Sequence, residues 1–60
     1  MTVTIYFRRT DEKKILIENV IMVQSILNEL VVLYNVENVN YNYTEIKRYP
    51  LYDIDCYVVK

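Results

Sequence analysis

Apolar residues alternate with polar ones at the start of the chain. Within residues 2–7, the positions that would share one face of an extended strand are all apolar: Val3, Ile5 and Phe7. A period of two predicts a half-buried β-strand. Residues 8–14 are mostly charged, and residues 15–17 are apolar again. These two runs predict a β-hairpin with a longer loop, because no Asn-Gly or Asp-Gly pair is present to form a two-residue turn.

Residues 20–34 fit two patterns. As a helix, they would place their polar side chains on one face and their apolar ones on the other, with Asn19 as the cap. As strands, residues 20–26 and 30–36 would be joined by a turn at residues 27–29. The β-branched content favours strands, whereas the spacing of the polar residues favours a helix. We take the strands as the prediction and keep the helix as the alternative.

The second half of the chain contains turn residues and two further apolar runs. Asparagines at alternate positions in residues 38–42 supply turn chemistry in a chain that has no glycine. Residues 39–44 alternate as a strand would, and Pro50 either ends that strand or confines it to a sheet edge. Residues 51–59 predict a last strand, with Ile54, Cys56 and Val58 on one face. The fold prediction is a small single domain over residues 1–60, mostly antiparallel β. The alternative is an α+β fold with a helix at about residues 20–34.

Composition indicates that the chain associates with another chain. Hydrophobic residues, with the seven tyrosines counted among them, make up 53% of the sequence. A domain of this length buries only about 60% of the surface that its unfolded chain exposes. One cysteine allows no internal disulfide, and the absence of histidine excludes a zinc site of the usual Cys/His kind. The net charge of −1 also favours association, so we expect a homo-oligomer, most simply a two-fold dimer.

Residues for catalysis are lacking. Cys56 is the only thiol, and there is no histidine to activate it. Its position in the last strand predicts a small, buried apolar residue. Asp53 and Asp55 would share a strand face, but nothing in the sequence marks a cleft around them. Without glycine there is no phosphate-binding loop of the known kind. We therefore expect a protein that is not an enzyme, with no catalytic, cofactor or metal residues.

The sequence contains no signal for export or membrane insertion. No basic segment precedes an apolar stretch at the start, and no window approaches 18 uninterrupted apolar residues. A single unpaired cysteine fits a reducing compartment. We expect a cytoplasmic protein without a membrane partner.

Tyrosine is the strongest indication of function. The chain has seven tyrosines, most of them in the last twenty residues. Tyrosine combines a large apolar ring with a polar tip and is enriched at the core of protein interfaces. Arginine is also common among the residues that dominate binding energy. We predict that the partner-binding residues are Tyr41, Tyr43, Arg48, Tyr49 and Tyr52.

Two alternative functions belong to other classes. A nucleic-acid-binding accessory protein would use two clusters of basic residues, one that flanks the hairpin tip and one nearer the end of the chain: Arg8, Arg9, Lys13, Lys14, Lys47 and Arg48. Asp11 and Glu12 weaken the field of the first cluster, and the net charge argues against this function. A protein that sequesters a small ligand would need a pocket, which could form between subunits.

Three segments resemble small β-rich accessory proteins encoded by phages and prophages of low-GC Gram-positive bacteria. They are residues 15–20, 30–34 and 49–59, with the sequences ILIENV, LVVLY and YPLYDIDCYVV. The resemblance implies an inhibitor that blocks one bacterial host protein by stoichiometric binding in the host cytoplasm. Anti-defence inhibitors of the Hachiman anti-defence type are the group that it suggests.

Overall fold

The computed structural model describes residues 1–9 and 14–60, and these residues form an antiparallel β structure without an α-helix. The strands are β1 (Val3–Phe7), β2 (Ile15–Ile17), β3 (Val20–Ile26), β4 (Glu29–Glu37), β5 (Asn42–Pro50) and β6 (Ile54–Val59), with a 3₁₀ turn at Leu51–Asp53. The prediction of a mostly antiparallel β fold is confirmed. The alternative helix at residues 20–34 is wrong, because this segment forms β3 and the first part of β4.

The strands form two antiparallel sheets of three strands each. Sheet A has the order β2-β1-β6, and sheet B has the order β3-β4-β5. The predicted hairpin of residues 2–7 and 15–17 is confirmed, since β1 pairs with β2 from Val3↔Ile17 to Ile5↔Ile15. Residues 10–13 of the predicted hairpin loop lie outside the described residues. Pro50 is the last residue of β5, at an edge of sheet B, as proline's missing N–H requires.

One hydrophobic core fills the space between the two sheets. Its buried members come from both sheets and are Val3, Ile5, Ile17, Val20, Leu30, Val32 and Ile54. The alternation predicted for β1 explains its part of this set, because Val3 and Ile5 face inwards while Thr4 and Tyr6 face outwards. Several half-buried side chains complete the core: Phe7, Ile15, Val23, Tyr34, Tyr49 and Leu51.

Short connections at the ends of the sheets hold them together. Asn19, with φ of 58°, turns the chain from β2 in sheet A to β3 in sheet B. Its carbonyl accepts a hydrogen bond of 2.9 Å from the Asn35 N–H. At the opposite corner, the 3₁₀ turn leads from β5 to β6, and the Asp53 carbonyl accepts a 2.9 Å bond from the Arg8 N–H. The sequence predicted a continuous strand over residues 51–59, so this turn corrects its first three residues.

Two β-bulges interrupt the alternation of side chains. In β6 the pairing partner changes from Tyr6↔Cys56 to Phe7↔Ile54, so Asp55 is an extra residue. Ile54 consequently faces the core while Cys56 faces outwards, and Cys56 is exposed. The prediction that Cys56 is buried on the same face as Ile54 is wrong for this reason. The second bulge lies at Ile21 in β3.

The turn between β3 and β4 holds a leucine in a left-handed backbone conformation. Leu27 has φ of 57° and is 91% exposed, in a two-residue connection closed by Ile26 and Glu29. This conformation costs an L-residue with a Cβ atom roughly 1–2 kcal/mol, whereas glycine adopts it readily.

We expect Leu27→Gly to stabilise the fold by about 0.5–1 kcal/mol, since the relief of strain exceeds the entropy that glycine loses on folding. Leu27→Ala keeps the Cβ atom and should leave the stability nearly unchanged. Urea denaturation of the two variants and the parent checks this. Equal stability of all three proteins would show that the turn is unstrained.

Replacement of isoleucine by valine at one buried and one exposed position tests where the core lies. Ile5 is fully buried and Ile46 is 53% exposed. Ile5→Val should cost about 0.5–1.5 kcal/mol, because it removes a methyl group from a packed interior. Ile46→Val should change the free energy of unfolding by less than about 0.5 kcal/mol. Equal losses would contradict the assignment of the two faces.

Candidate protein-binding surfaces

The outer face of sheet B carries a row of apolar side chains. Met22, Leu33 and Ile46 are opposite one another across β3, β4 and β5. Leu30 and Val32 point into the core, so Leu33 points away from it. Met22 is 39% exposed and Leu33 is half-buried. We call these three residues, Met22, Leu33 and Ile46, the outer row.

Polar and charged residues flank the outer row on the same face. Arg48 lies two residues from Ile46 along β5, opposite Val31 on the central strand. Its Nη1 is 3.6 Å from Glu29 Oε1, and the two side chains are 60% and 41% exposed. An exposed ion pair of this kind contributes about 0–1 kcal/mol to stability. The face therefore has an apolar centre and a polar rim, which is the usual composition of a protein interface.

Two of the predicted tyrosines form a pair at one end of sheet B. Tyr41 lies in the turn between β4 and β5, where its carbonyl accepts a 2.9 Å hydrogen bond from the Asn38 N–H. Its ring centroid is 5.6 Å from that of Tyr43. Both rings are exposed, and the turn also presents Val39, which is 97% exposed. This end of the sheet offers an apolar surface that is separate from the outer row.

The other two predicted tyrosines lie at the opposite end of β5. Tyr49 is half-buried against the core, and its ring centroid is 5.9 Å from that of Phe7 in an edge-to-face arrangement. Tyr52 lies in the 3₁₀ turn and is 73% exposed. Tyr49 therefore has a structural role in the core, and Tyr52 is free to contact another molecule.

The structure does not bring the five predicted binding residues together. Tyr43 and Tyr49 are six residues apart on β5, a separation of roughly 20 Å. Arg48 lies on the opposite face of this strand from both. Of the five, Arg48 alone shares a face with the outer row.

The described basic residues are also dispersed. Lys47 and Arg48 are neighbours on β5 and point to opposite faces. Lys47 Nζ lies 5.8 Å from the centroid of the Tyr34 ring, and Lys14 Nζ lies 6.0 Å from that of Tyr6. Arg8 Nε donates a 3.0 Å hydrogen bond to the Ile54 carbonyl. Lys13 lies outside the described residues, so the predicted cluster is only partly placed.

A small cavity opens where β1, β5 and the 3₁₀ turn meet. Phe7, Arg9, Tyr49 and Asp53 line it, and its volume is about 260 Å³. Pockets for small molecules usually measure about 300–1,000 Å³ and bury most of their ligand. The aromatic pair that forms part of this lining also packs against the core.

Candidate metal ligands are not clustered in residues 1–9 and 14–60. No group of three or more acidic or cysteine side chains in this part of the chain could hold a metal ion. Asp53 lies in the 3₁₀ turn and Asp55 at the bulge, so they do not share a strand face as the sequence predicted.

Burial shifts the titration of two tyrosines. It raises the pKa of the Tyr34 phenol above its ordinary value of 10.0, and the carboxylate of Glu45, its cross-strand partner, adds to this effect. Burial also raises the pKa of the Tyr49 phenol, and the charge of Lys47 partly offsets this. Both phenols are therefore favoured in the neutral form by the fold.

Sequence reasoning missed the outer row. No local pattern marks its three residues, because Met22, Leu33 and Ile46 lie within runs that the sequence predicts as ordinary strands. The pairing register aligns the three side chains, and register between strands distant in sequence cannot be read from one strand alone. The Ile21 bulge also determines which face Met22 occupies.

Comparisons with known proteins give no relative. No protein-family model matches the chain, and neither does any curated protein or solved structure. Among the described residues, no helix has the length and apolar character needed to cross a membrane.

The raised pKa of Tyr49 predicts how stability depends on pH. The folded state retains the phenolic proton at a pH where the unfolded chain has lost it, so this contribution is complete below about pH 10 and disappears as pH rises through the folded pKa. Tyr49→Phe should make the loss of stability above about pH 10 less steep. Urea denaturation across this range measures the slope.

Tyr52→Phe is the matched control, because it removes a hydroxyl from an exposed ring. It should retain the slope of the parent protein. The same slope for Tyr49→Phe and the parent would contradict the burial of the Tyr49 phenol as its cause.

Proposed function

We propose that this chain is a non-catalytic protein-binding module that acts by occlusion: it covers a functional site on a larger protein and also self-associates. The observation that carries the proposal is the outer row on sheet B. Three apolar side chains aligned across three strands remain on the surface after the inter-sheet core is complete. Apolar surface of this kind is stabilised by contact with another protein, since its burial releases water.

The chemistry around the outer row supports a protein as the partner. Arg48 and Glu29 supply charges of both signs at the rim, and Arg48 can exchange its exposed contact with Glu29 for a carboxylate on the partner. Such a rim selects the partner and its orientation more than it adds affinity. Burial of Leu33 and Ile46 would supply most of the binding energy.

The tyrosine pair at the β4–β5 turn extends the proposed partner surface beyond this face. Tyr41 and Tyr43 already contact each other, so less conformational entropy is lost when a partner covers them. Tyr52 presents a third exposed ring at the other end of β5. A large partner could contact the outer row and one of these ends together.

The sequence resemblance supports a more specific role. On that basis the module is a phage-encoded inhibitor, and its partner is a host protein of the bacterial cytoplasm, with a defence protein as the first candidate. Stoichiometric blocking needs no catalytic group.

Nucleic-acid binding receives less support from the geometry. A continuous basic surface is needed to neutralise several phosphates. The described basic side chains instead point to different faces, and Arg48 and Arg8 already contact protein groups.

The test is capture of bacterial proteins by the immobilised chain and by two variants that each introduce one acidic residue. Ile46→Glu places a charge in the outer row and should reduce capture of the specific partner at least about thirtyfold, the effect of losing about 2 kcal/mol from an interface centre. Leu16→Glu makes the same kind of change at a 59% exposed position of β2 in sheet A, which the proposed partner surface does not include, and should retain capture. Quantitative mass spectrometry compares the captured proteins.

Both variants should retain the circular dichroism spectrum of the parent, because both positions are exposed. Equal capture by Ile46→Glu and the parent would remove the outer row from the binding surface. Absence of any protein captured in stoichiometric amount would contradict the proposed function itself.

A further inference from the structure

Among residues 1–9 and 14–60, no strand pairs with the alternate backbone groups of β6 that point away from β1. Thr2 and Lys60 exchange two hydrogen bonds of 2.8 Å, so they form a hydrogen-bonded pair at the end of the β1–β6 ladder. Hydrogen-bonded and non-hydrogen-bonded pairs alternate in an antiparallel ladder. Val59 and Tyr57 occupy the non-hydrogen-bonded positions opposite Val3 and Ile5. Their N–H and C=O groups therefore point away from β1.

This side of β6 is a free edge of sheet A within the described residues. The sheet order is β2-β1-β6, so β6 pairs with β1 alone. Every residue of β6 after Ile54 is exposed. The edge thus combines free backbone donors and acceptors with accessible side chains, the combination that permits another strand to pair there.

The edge strands of sheet B differ from β6. Strand β3 (Val20–Ile26) is also uncharged but is interrupted by the Ile21 bulge, and β5 is better protected. The second half of β5 carries charged side chains at Glu45, Lys47 and Arg48 and ends at Pro50. Charged residues and proline are devices that prevent pairing at sheet edges. In β6, by contrast, Cys56, Tyr57, Val58 and Val59 form an uncharged run.

The charges at the two ends of β6 favour a second copy of the same strand. Asp55 lies near its start, and Lys60 follows its end. When two copies pair in antiparallel orientation, the start of one β6 lies beside the end of the other, so Asp55 of each chain is brought to the same end of the paired strands as Lys60 of the other. A parallel pair would instead place Asp55 beside Asp55. Opposite charges across paired strands are stabilising and like charges are destabilising.

We propose that the chain dimerises by antiparallel pairing of β6 with β6 of a second copy about a two-fold axis, which joins the two A sheets into one six-stranded sheet. This inference rests on the self-association in the proposed function and identifies its interface. The pairing preserves the faces of the sheet, so Tyr57 must lie opposite an odd-numbered neighbour such as Tyr57 or Val59 of the second copy. It leaves the outer row on sheet B free for a different partner.

The dimer should dissociate on dilution. A strand of six residues is only about 20 Å long, and one shared edge buries less than the roughly 800 Å² per partner of a standard stable interface. Backbone hydrogen bonds at Tyr57 and Val59 supply its specificity, because their positions determine the register.

Amide hydrogen exchange measured by NMR at two concentrations tests the pairing residue by residue. The Cys56 and Val58 amides, which bond to β1, should exchange slowly at both concentrations. The Tyr57 and Val59 amides should exchange fast in dilute protein. In concentrated protein, where the dimer forms, they should exchange about tenfold more slowly. Fast exchange of Tyr57 and Val59 at both concentrations would overturn the proposal.

Two proline variants locate the edge, with sedimentation equilibrium as the measurement. Val59→Pro removes an N–H that points to the free edge, so it should abolish the dimer and retain the β spectrum by circular dichroism. Ser25→Pro is the matched control on the free edge of β3, where Ile26 and Glu29 close the hairpin and Ser25 points its N–H outwards. It should retain the dimer. A dimer lost in Ser25→Pro and kept in Val59→Pro would place the interface on β3 and overturn the proposal.

A charge exchange tests the orientation without altering the backbone. Asp55→Lys should weaken the dimer about tenfold, because two attractive contacts become repulsive. The double variant Asp55→Lys with Lys60→Asp should restore most of the loss. Equal dimer affinity in all three proteins would contradict antiparallel pairing at this edge. Loss of the dimer with unchanged capture of a bacterial partner would show that this inference fails while the proposed binding function stands.

Discussion

The structure depends on a single layer of apolar side chains between two three-stranded sheets. A sheet can bury only one of its faces against the other sheet, so each strand contributes about every second residue to this layer. In this chain the fully buried side chains at the centre of the layer are Val3, Ile5, Leu30 and Val32. A sequence with 53% hydrophobic residues supplies more apolar side chains than this one layer accepts. The remaining apolar side chains lie on the outer faces of the sheets and on the β6 edge, and they form the candidate binding surfaces.

The strands were predictable where alternation was regular. Residues 2–7 and 15–17 pair as predicted, and Pro50 lies at a sheet edge because of its missing N–H. The choice between helix and strands for residues 20–34 could not be made from local pattern, because both periods fit. It is decided by pairing of β3 and β4 with one another and by the contribution of Val20, Leu30 and Val32 to the core.

The candidate surfaces were harder to predict, for two physical reasons. A bulge inserts one residue and reverses the faces beyond it, so Cys56 became exposed although local alternation placed it with Ile54. Pairing register then determines which residues of distant strands are neighbours, and this aligns Leu33 with Ile46 while it separates Tyr43 from Tyr49. Residue type identified tyrosine and arginine as binding groups, but it carried no information about their relative positions.

The chain has two candidate binding surfaces, and we assign them to different partners. The outer row on sheet B fits a larger protein partner, and the β6 edge fits a second copy of the chain. Both depend on the claim that the isolated fold leaves apolar surface which another polypeptide covers. Multi-angle light scattering of the isolated protein over a wide concentration range measures this most directly. The account predicts a mass that rises from 7.3 kDa towards at least twice that value as concentration increases. A mass that stays at 7.3 kDa in concentrated protein would contradict it.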